Sequence, residues 1–190
     1  SHDKTAKIWD VIKGKPRITL KGHTDAVGEI CWGANNQHLA TASHDKTAKI
    51  WDANTGDVLY TLDGHNNKVR TVAWNGITGQ IATGSGDKTA KIWDGQTGNL
   101  QYTLTGHDDE VVACAWSIDG RFLATGSKDK TVWVWDGQTG EPMKILMGHS
   151  RIISGVAWHP NGDYLATGSG DSQVCVWHVP TEKCVATLVL

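Results

Sequence analysis

The sequence predicts an all-β fold of four-stranded antiparallel sheets stacked radially, a β-propeller. Three observations carry this: an unbroken 42-residue period, four short β-rich runs in each period, and short connections between the runs. Gly22-His23, Gly64-His65, Gly106-His107 and Gly148-His149 mark the period, each pair 42 residues from the next. Trp-Asp keeps the same step at Trp9-Asp10, Trp51-Asp52, Trp93-Asp94 and Trp135-Asp136, and Trp177 continues it, followed by His178. No insertion or deletion separates the units, so the chain is an array of equivalent units.

In the unit spanning 24–65, residues 27–32, 39–43, 47–51 and 58–62 are rich in β-branched or aromatic types and are bounded by Gly, Asn, Asp or Thr. Each reads as a strand. The connections 33–38, 44–46 and 52–57 are too short for anything but antiparallel neighbours. The last holds Asn54-Thr55-Gly56, a hairpin turn with a left-handed glycine. One four-stranded sheet cannot bury both its faces, so the units must pack on one another. The expected organisation over 1–190 is a single propeller segment of about four and a half blades: a partial blade at 1–23 and full blades at 24–65, 66–107, 108–149 and 150–190.

Composition narrows the function classes. Eighteen Lys and Arg against 20 Asp and Glu leave a net charge of −2, without the basic excess expected of a nucleic-acid or anionic-membrane binder. No apolar run approaches the roughly 20 residues of a membrane span, and the opening SHDKTAKIWD is unlike a signal peptide. The expectation is a soluble intracellular chain, cytoplasmic with a nuclear location open, and not secreted. Cys31 and Cys114 stand where other units have small or medium apolar residues and read as reduced, buried thiols. Cys175 and Cys184, on neighbouring strands, are not set opposite one another by their spacing. With no Cys-x-x-Cys and the histidines spread at the repeat period, no metal site and no cofactor is expected.

The four Gly-His pairs, the Trp-Asp ends and the intervening Ser-x-Asp-x-Thr segments resemble the WD-repeat (WD40) family over the whole chain. The resemblance implies, in each blade, a buried hydrogen-bonded set of a His before the innermost strand a, a Ser or Thr on strand b, an Asp in the b-to-c turn and the Trp of strand c. Here the sets are His23, Ser43, Asp45, Trp51; His65, Ser85, Asp87, Trp93; His107, Ser127, Asp129, Trp135; and His149, Ser169, Asp171, Trp177. Indole N–H only donates, ionised Asp only accepts, and neutral His and Ser do both, so such a set can be fully satisfied. Four equivalent Ser, His and Asp combinations, each joined to a Trp, fit a repeated structural role and not a hydrolase triad. No catalytic residue is expected.

A second tryptophan series, Trp32, Trp74, Trp116 and Trp158, sits on strand a and reads as packing between strands or blades. Trp133 departs from the pattern, since Lys7, Lys49 and Lys91 hold the equivalent position. Two readings stand for it, a cover over a blade edge and an anchor for a partner.

The resemblance also implies contact positions on the narrow face, three and five residues after the motif His and just before the turn Asp. These are Ala26, Lys68, Glu110 and Ile152; Gly28, Arg70, Val112 and Ser154; and His2, His44, Gly86, Lys128 and Gly170. Their mixture of charge, apolar groups and glycine suits a protein or peptide surface better than a phosphate groove. The leading expectation is a non-catalytic scaffold or adaptor that assembles a multiprotein complex. The alternative is a reader of a peptide or modified peptide at the channel mouth. The half blade at 1–23 leads to the expectation of a larger ring of seven or eight blades, completed by further blades or by an oligomeric partner.

Overall fold

The structure, a computed structural model, describes residues 1–189. It contains one two-stranded and four four-stranded sheets, all antiparallel and each in sequence order. The half blade is β1 (Thr5–Asp10) and β2 (Lys15–Lys21). The first full blade is β3 (Val27–Trp32), β4 (His38–Ser43), β5 (Thr47–Asp52) and β6 (Val58–Asp63). The second is β7 (Val69–Trp74), β8 (Gln80–Ser85), β9 (Ala90–Asp94) and β10 (Leu100–Leu104). The third is β11 (Val111–Trp116), β12 (Phe122–Ser127), β13 (Val132–Asp136) and β14 (Pro142–Leu146). The fourth is β15 (Ile153–Trp158), β16 (Tyr164–Ser169), β17 (Gln173–His178) and β18 (Lys183–Val189), with a short 3-10 turn, Val179–Thr181, before its outer strand. The sequences of β1 and β5 are identical, TAKIWD.

The hydrophobic cores lie between blades and not within them. Ile50 and Leu62 of the first full blade pack with Val69, Ile81 and Trp93 of the second. Ile92 and Leu104 of the second pack with Val111, Leu123 and Trp135 of the third, and Val134 and Leu146 of the third with Ile153, Leu165 and Trp177 of the fourth. Leu20 of the half blade meets Leu39 and Trp51 in the same way. The strand-c tryptophan of each full blade thus buries against the preceding blade, and removing such area from water is the main stabilising term of the array. Strand b runs close to its neighbour: a Cβ on Gly126 would stand 2.6 Å from Ile153 of the next blade.

Each full blade carries two register shifts. On strand a the extra residue is Gly28, Arg70, Val112 or Ser154, between Val27 and Glu29 and at the equivalent places. On strand d it is Leu59, Gln101, Met143 or Val185. A bulge bends the strand and re-aims one side chain. The strand-a bulge residues are the second series of contact positions expected from the sequence.

Candidate functional site

Every full blade holds a chain of four side chains. Trp51 Nε1–H donates to Thr41 Oγ1 (2.8 Å), Thr41 Oγ1 meets His23 Nε2 (2.7 Å), and His23 Nδ1 meets Asp45 Oδ2 (2.7 Å). The set recurs as Trp93, Thr83, His65 and Asp87, as Trp135, Thr125, His107 and Asp129, and as Trp177, Thr167, His149 and Asp171. A proton on Nδ1 satisfies every member: His donates to Asp, and the Thr hydroxyl accepts from indole while donating to Nε2. The Asp also accepts the backbone N–H that follows the His, as from Thr24 to Asp45 (3.0 Å), and the N–H and hydroxyl of Thr47.

Burial pulls His23, His65 and His107 below the ordinary 6.5, outweighing the pull of the neighbouring carboxylate, so these rings are neutral. Burial alone would raise the aspartates, but hydrogen bonds from backbone N–H and histidine, joined by threonine at Asp45, Asp87 and Asp129, outweigh it. They hold Asp45, Asp87 and Asp171 at about 2 and lower Asp129 as well.

The serines expected in this chain, Ser43, Ser85, Ser127 and Ser169, are not its hydroxyl members; the threonine two residues earlier is. The serine ends strand b beside the turn, too far along to bridge His and Trp. Its Oγ accepts the N–H of the turn Asp (3.1 Å from Asp45 to Ser43) and donates to carbonyls of the loop before strand a. Ser43 reaches Ala26 and Asp25, Ser85 reaches Lys68 and Asn67, Ser127 reaches Asp109, and Ser169 reaches Arg151. Serine and histidine are therefore not hydrogen-bonded as nucleophile and base. The serine instead anchors the loop that carries the first contact series.

The structure links the expected contact positions within each blade. The N–H of the residue before the turn Asp donates to the carbonyl of the first-series residue at 2.9 Å: His44 to Ala26, Gly86 to Lys68, Lys128 to Glu110 and Gly170 to Ile152. It also joins side chains across three blades. Glu110 Oε2 lies 2.9 Å from Arg70 Nε, 2.9 Å from Arg70 Nη2 and 3.2 Å from Lys128 Nζ, while Arg70 Nη1 lies 3.4 Å from His44 Nε2. Burial, then the charges of Lys68 and Arg70, push His44 below 6.5, which leaves its Nε2 free to accept from Arg70. Ile152, 44% exposed, and Ser154 stand on the fourth full blade, away from this charged group, and Val112 is half-buried on strand a between them.

The other singled-out residues have clear surroundings. Trp133 stacks on Trp135 (5.1 Å between ring centroids), donates to Thr131 Oγ1 at 3.1 Å and covers Gly106. Lys49 and Lys91, at the equivalent place, reach across to Thr61 and Thr103 of strand d. Trp133 faces Ile145 there, so the polar cross-strand pair is replaced as a unit by an apolar one. In the strand-a series, Trp116 and Trp158 donate to the carbonyls of Ala73 and Ala115 on the preceding blade (3.3 and 3.0 Å). Trp32, beside the half blade that has no such strand, is 52% exposed. Burial pushes the Cys31 thiol up to about 12 and raises Cys114 too. Cys184 pairs in register with Trp177, whereas Cys175 pairs with Thr187, and all four cysteines are free thiols. Among the described residues no three His, Cys, Asp or Glu side chains gather as metal ligands, and no helix is long and apolar enough to cross a membrane.

Comparison with known proteins gives one family. The model for the WD domain, G-beta repeat (WD40) matches residues 14–52, 56–94, 98–136 and 140–178. Among similar proteins, Coronin-7 of Homo sapiens is 42% identical over 41 residues, 22% of this chain and 4% of that protein. Ribosome assembly protein 4 of Chaetomium thermophilum is 46% identical over 39 residues, 20% of this chain and 8% of that protein. Each match is about one blade long and covers a small part of its relative. The family match, by contrast, runs through all four full blades on the residues that build the repeated hydrogen-bond chain: the chain belongs to the WD domain, G-beta repeat family.

Proposed function

We propose that this chain is a non-catalytic adaptor whose narrow face binds protein partners and assembles them into a complex. The observation that carries the reading is the convergence of His44, Arg70, Glu110 and Lys128 from three blades into one ion-paired group at the expected contact positions. The residues around it differ from blade to blade, while the hydrogen-bond chain beneath them does not. Rigid repeated blades that carry unlike surface groups suit recognition of a polypeptide, and the exposed Ile152 supplies an apolar contact beyond the charges. Reading a modified peptide at the channel mouth draws less support, because Glu110, its acidic group, is already tied to two cations.

The wider ring belongs to the same proposal. Trp32 beside the half blade and Leu188 of β18 are exposed, whereas the equivalent Leu62, Leu104 and Leu146 are buried by a following blade, and further blades or a partner chain are proposed to cover them.

The test is the double substitution Arg70→Glu with Ile152→Asp, compared with the unaltered protein by affinity purification and mass spectrometry after folding has been checked. Loss of one stable heteromeric set is expected. Retention of every partner by the folded variant would remove the narrow face from consideration, and enrichment of a single short modified motif would favour the reader.

A further inference from the structure

One pair of side chains sets the fourth full blade apart. On strand c, Lys49, Lys91 and Trp133 are followed at the same step by Cys175, and at the start of strand d, Val58, Leu100 and Pro142 are followed by Cys184. Only the fourth blade has a thiol at both places. In a regular strand, residues three apart, such as Cys184 and Thr187, face opposite sides of the sheet. Here the extra residue Val185 turns the strand once more, so Cys184, opposite Trp177, and Thr187, opposite Cys175, face the same side. The two thiols therefore meet at one hydroxyl. Thr187 Oγ1 lies 3.8 Å from Cys175 Sγ and 3.4 Å from Cys184 Sγ, and Cys184 also donates to the carbonyl of Ala186 at 3.2 Å. Cys175 is buried and Cys184 is open to solvent. A following blade would not cover it, because Val58 and Leu100, at the place of Cys184, stay 39% and 46% exposed with a blade behind them.

We propose that Cys175 and Cys184 form a redox modification site, a dithiol that hydrogen peroxide converts into a disulfide between the last two strands. Exposed Cys184 is the thiol that the oxidant reaches first. Its sulfur attacks one peroxide oxygen, the O–O bond breaks, and the other oxygen leaves as water with the thiol proton, so that Cys184 becomes a sulfenic acid. The sulfur of Cys175 then attacks that of Cys184, the S–O bond breaks, and the second oxygen leaves as water with the Cys175 proton. The two thiols lose two electrons and two protons, and the peroxide is reduced to two molecules of water. Burial, then the neighbouring Cys184 thiol, raise the pKa of Cys175 above its ordinary 9.0, which suits the second step and not the first. Diagonal neighbours in an antiparallel pair have Cα atoms about 7–8 Å apart, and a disulfide spans about 4.4–6.8 Å. The difference is small, and β18, paired on one side only, is the strand that moves to close it. The bond ties the outer strand of the last blade to its neighbour, and the site shares no residue with the narrow-face group.

The test treats the folded full chain, dilute enough to disfavour cross-linking between molecules, with hydrogen peroxide, then unfolds it in urea with N-ethylmaleimide to label every remaining thiol. Trypsin cuts after Arg151 and Lys183, so the disulfide joins peptide 152–183 to peptide 184–190. The joined pair is expected by mass spectrometry, with Cys31 and Cys114 labelled, and dithiothreitol should separate the two peptides. Cys175→Ser removes the thiol of the second step. Dimedone, which traps sulfenic acids, should then mark Cys184 at least about tenfold more than in the unaltered protein; Cys175→Ala makes the same test should the first variant fail to fold. The joined peptides need no variant at all. Cys184 that ends as a sulfinic acid or a disulfide between molecules, with Cys175 still labelled, overturns the proposal. So does equal trapping by dimedone with and without Cys175, or a Cys184 left unoxidised by peroxide that consumes an added N-acetylcysteine standard.

Discussion

The second and fourth full blades have the same strand order and the same hydrogen-bond chain, yet they differ in how they are buried. In the second, strand c residue Ile92 is fully buried at the junction with the third blade. Its equivalent in the fourth, Val176, is only half-buried, and Leu188 of the outer strand β18 is exposed where Leu104 of β10 is buried. The chain of Trp177, Thr167, His149 and Asp171 nevertheless keeps the geometry of Trp93, Thr83, His65 and Asp87, with matching 2.8 Å bonds from indole to threonine. The polar chain is therefore a property of one blade, and the apolar core is a property of two.

The sharpest way to break this division is to remove apolar volume at equivalent places. Ile92→Ala should cost about 2–5 kcal/mol in denaturant unfolding, as a buried cavity does. Val176→Ala should cost under about 1 kcal/mol while its face is uncovered. Equal losses at the two sites would mean that the junction is not where the core resides.

Removing the shared hydroxyl tests the other half. Thr83→Val and Thr167→Val each leave an indole N–H and a ring nitrogen without a partner, and each should cost about 1–3 kcal/mol. The two losses should agree despite the difference in cover. Ser85→Ala, outside the chain, should cost less than Thr83→Val, and the opposite order would restore the serine to the role expected from the sequence.

Acid should weaken the polar chains. The pKa of His65 is below 6.5 in the fold, so the unfolded state takes up its proton first, and that stability is lost as pH falls below 6.5. Asp87 is held at about 2 against an ordinary 3.8, so its contribution is intact above 3.8 and lost as pH falls towards about 2. The urea midpoint should fall steadily below pH 6.5, and a flat profile from pH 7 to pH 3 would contradict neutral histidines beside ionised aspartates.

Smaller effects sharpen the account of the third blade and the surface. A double-mutant cycle of Trp133→Lys with Ile145→Thr should show a coupling of about 0.5–1 kcal/mol, because the cross-strand pair is exchanged as a unit. Arg70→Ala should change stability by only about 0–1 kcal/mol, as for a partly exposed ion pair. Partner binding should suffer far more than folding.

Much of the fold was readable because period and position coincide. The strand starts Val27, Thr47 and Val58 follow from alternating β-formers between turn residues, and the His, Asp and Trp of the chain follow from the 42-residue step. The threonine was missed for a physical reason. Thr41 and Ser43 lie two residues apart on one strand and so face the same side, and composition alone does not say which reaches the indole. The recurrence of Thr41, Thr83, Thr125 and Thr167 was a visible signal, since a fixed hydroxyl at mid-strand, away from the turn, must have a buried partner. Arg70, Glu110 and Lys128 were identified as contact positions, but their meeting depends on a bulge in strand a.

The identity of β1 and β5 has a consequence for folding. A strand with the sequence TAKIWD presents the same side chains to the strand d that follows it and to the one that follows its twin. What separates the two pairings is loop length and the junction contacts that form afterwards. Repeat arrays of this kind are prone to kinetic trapping and strand exchange between molecules at high concentration.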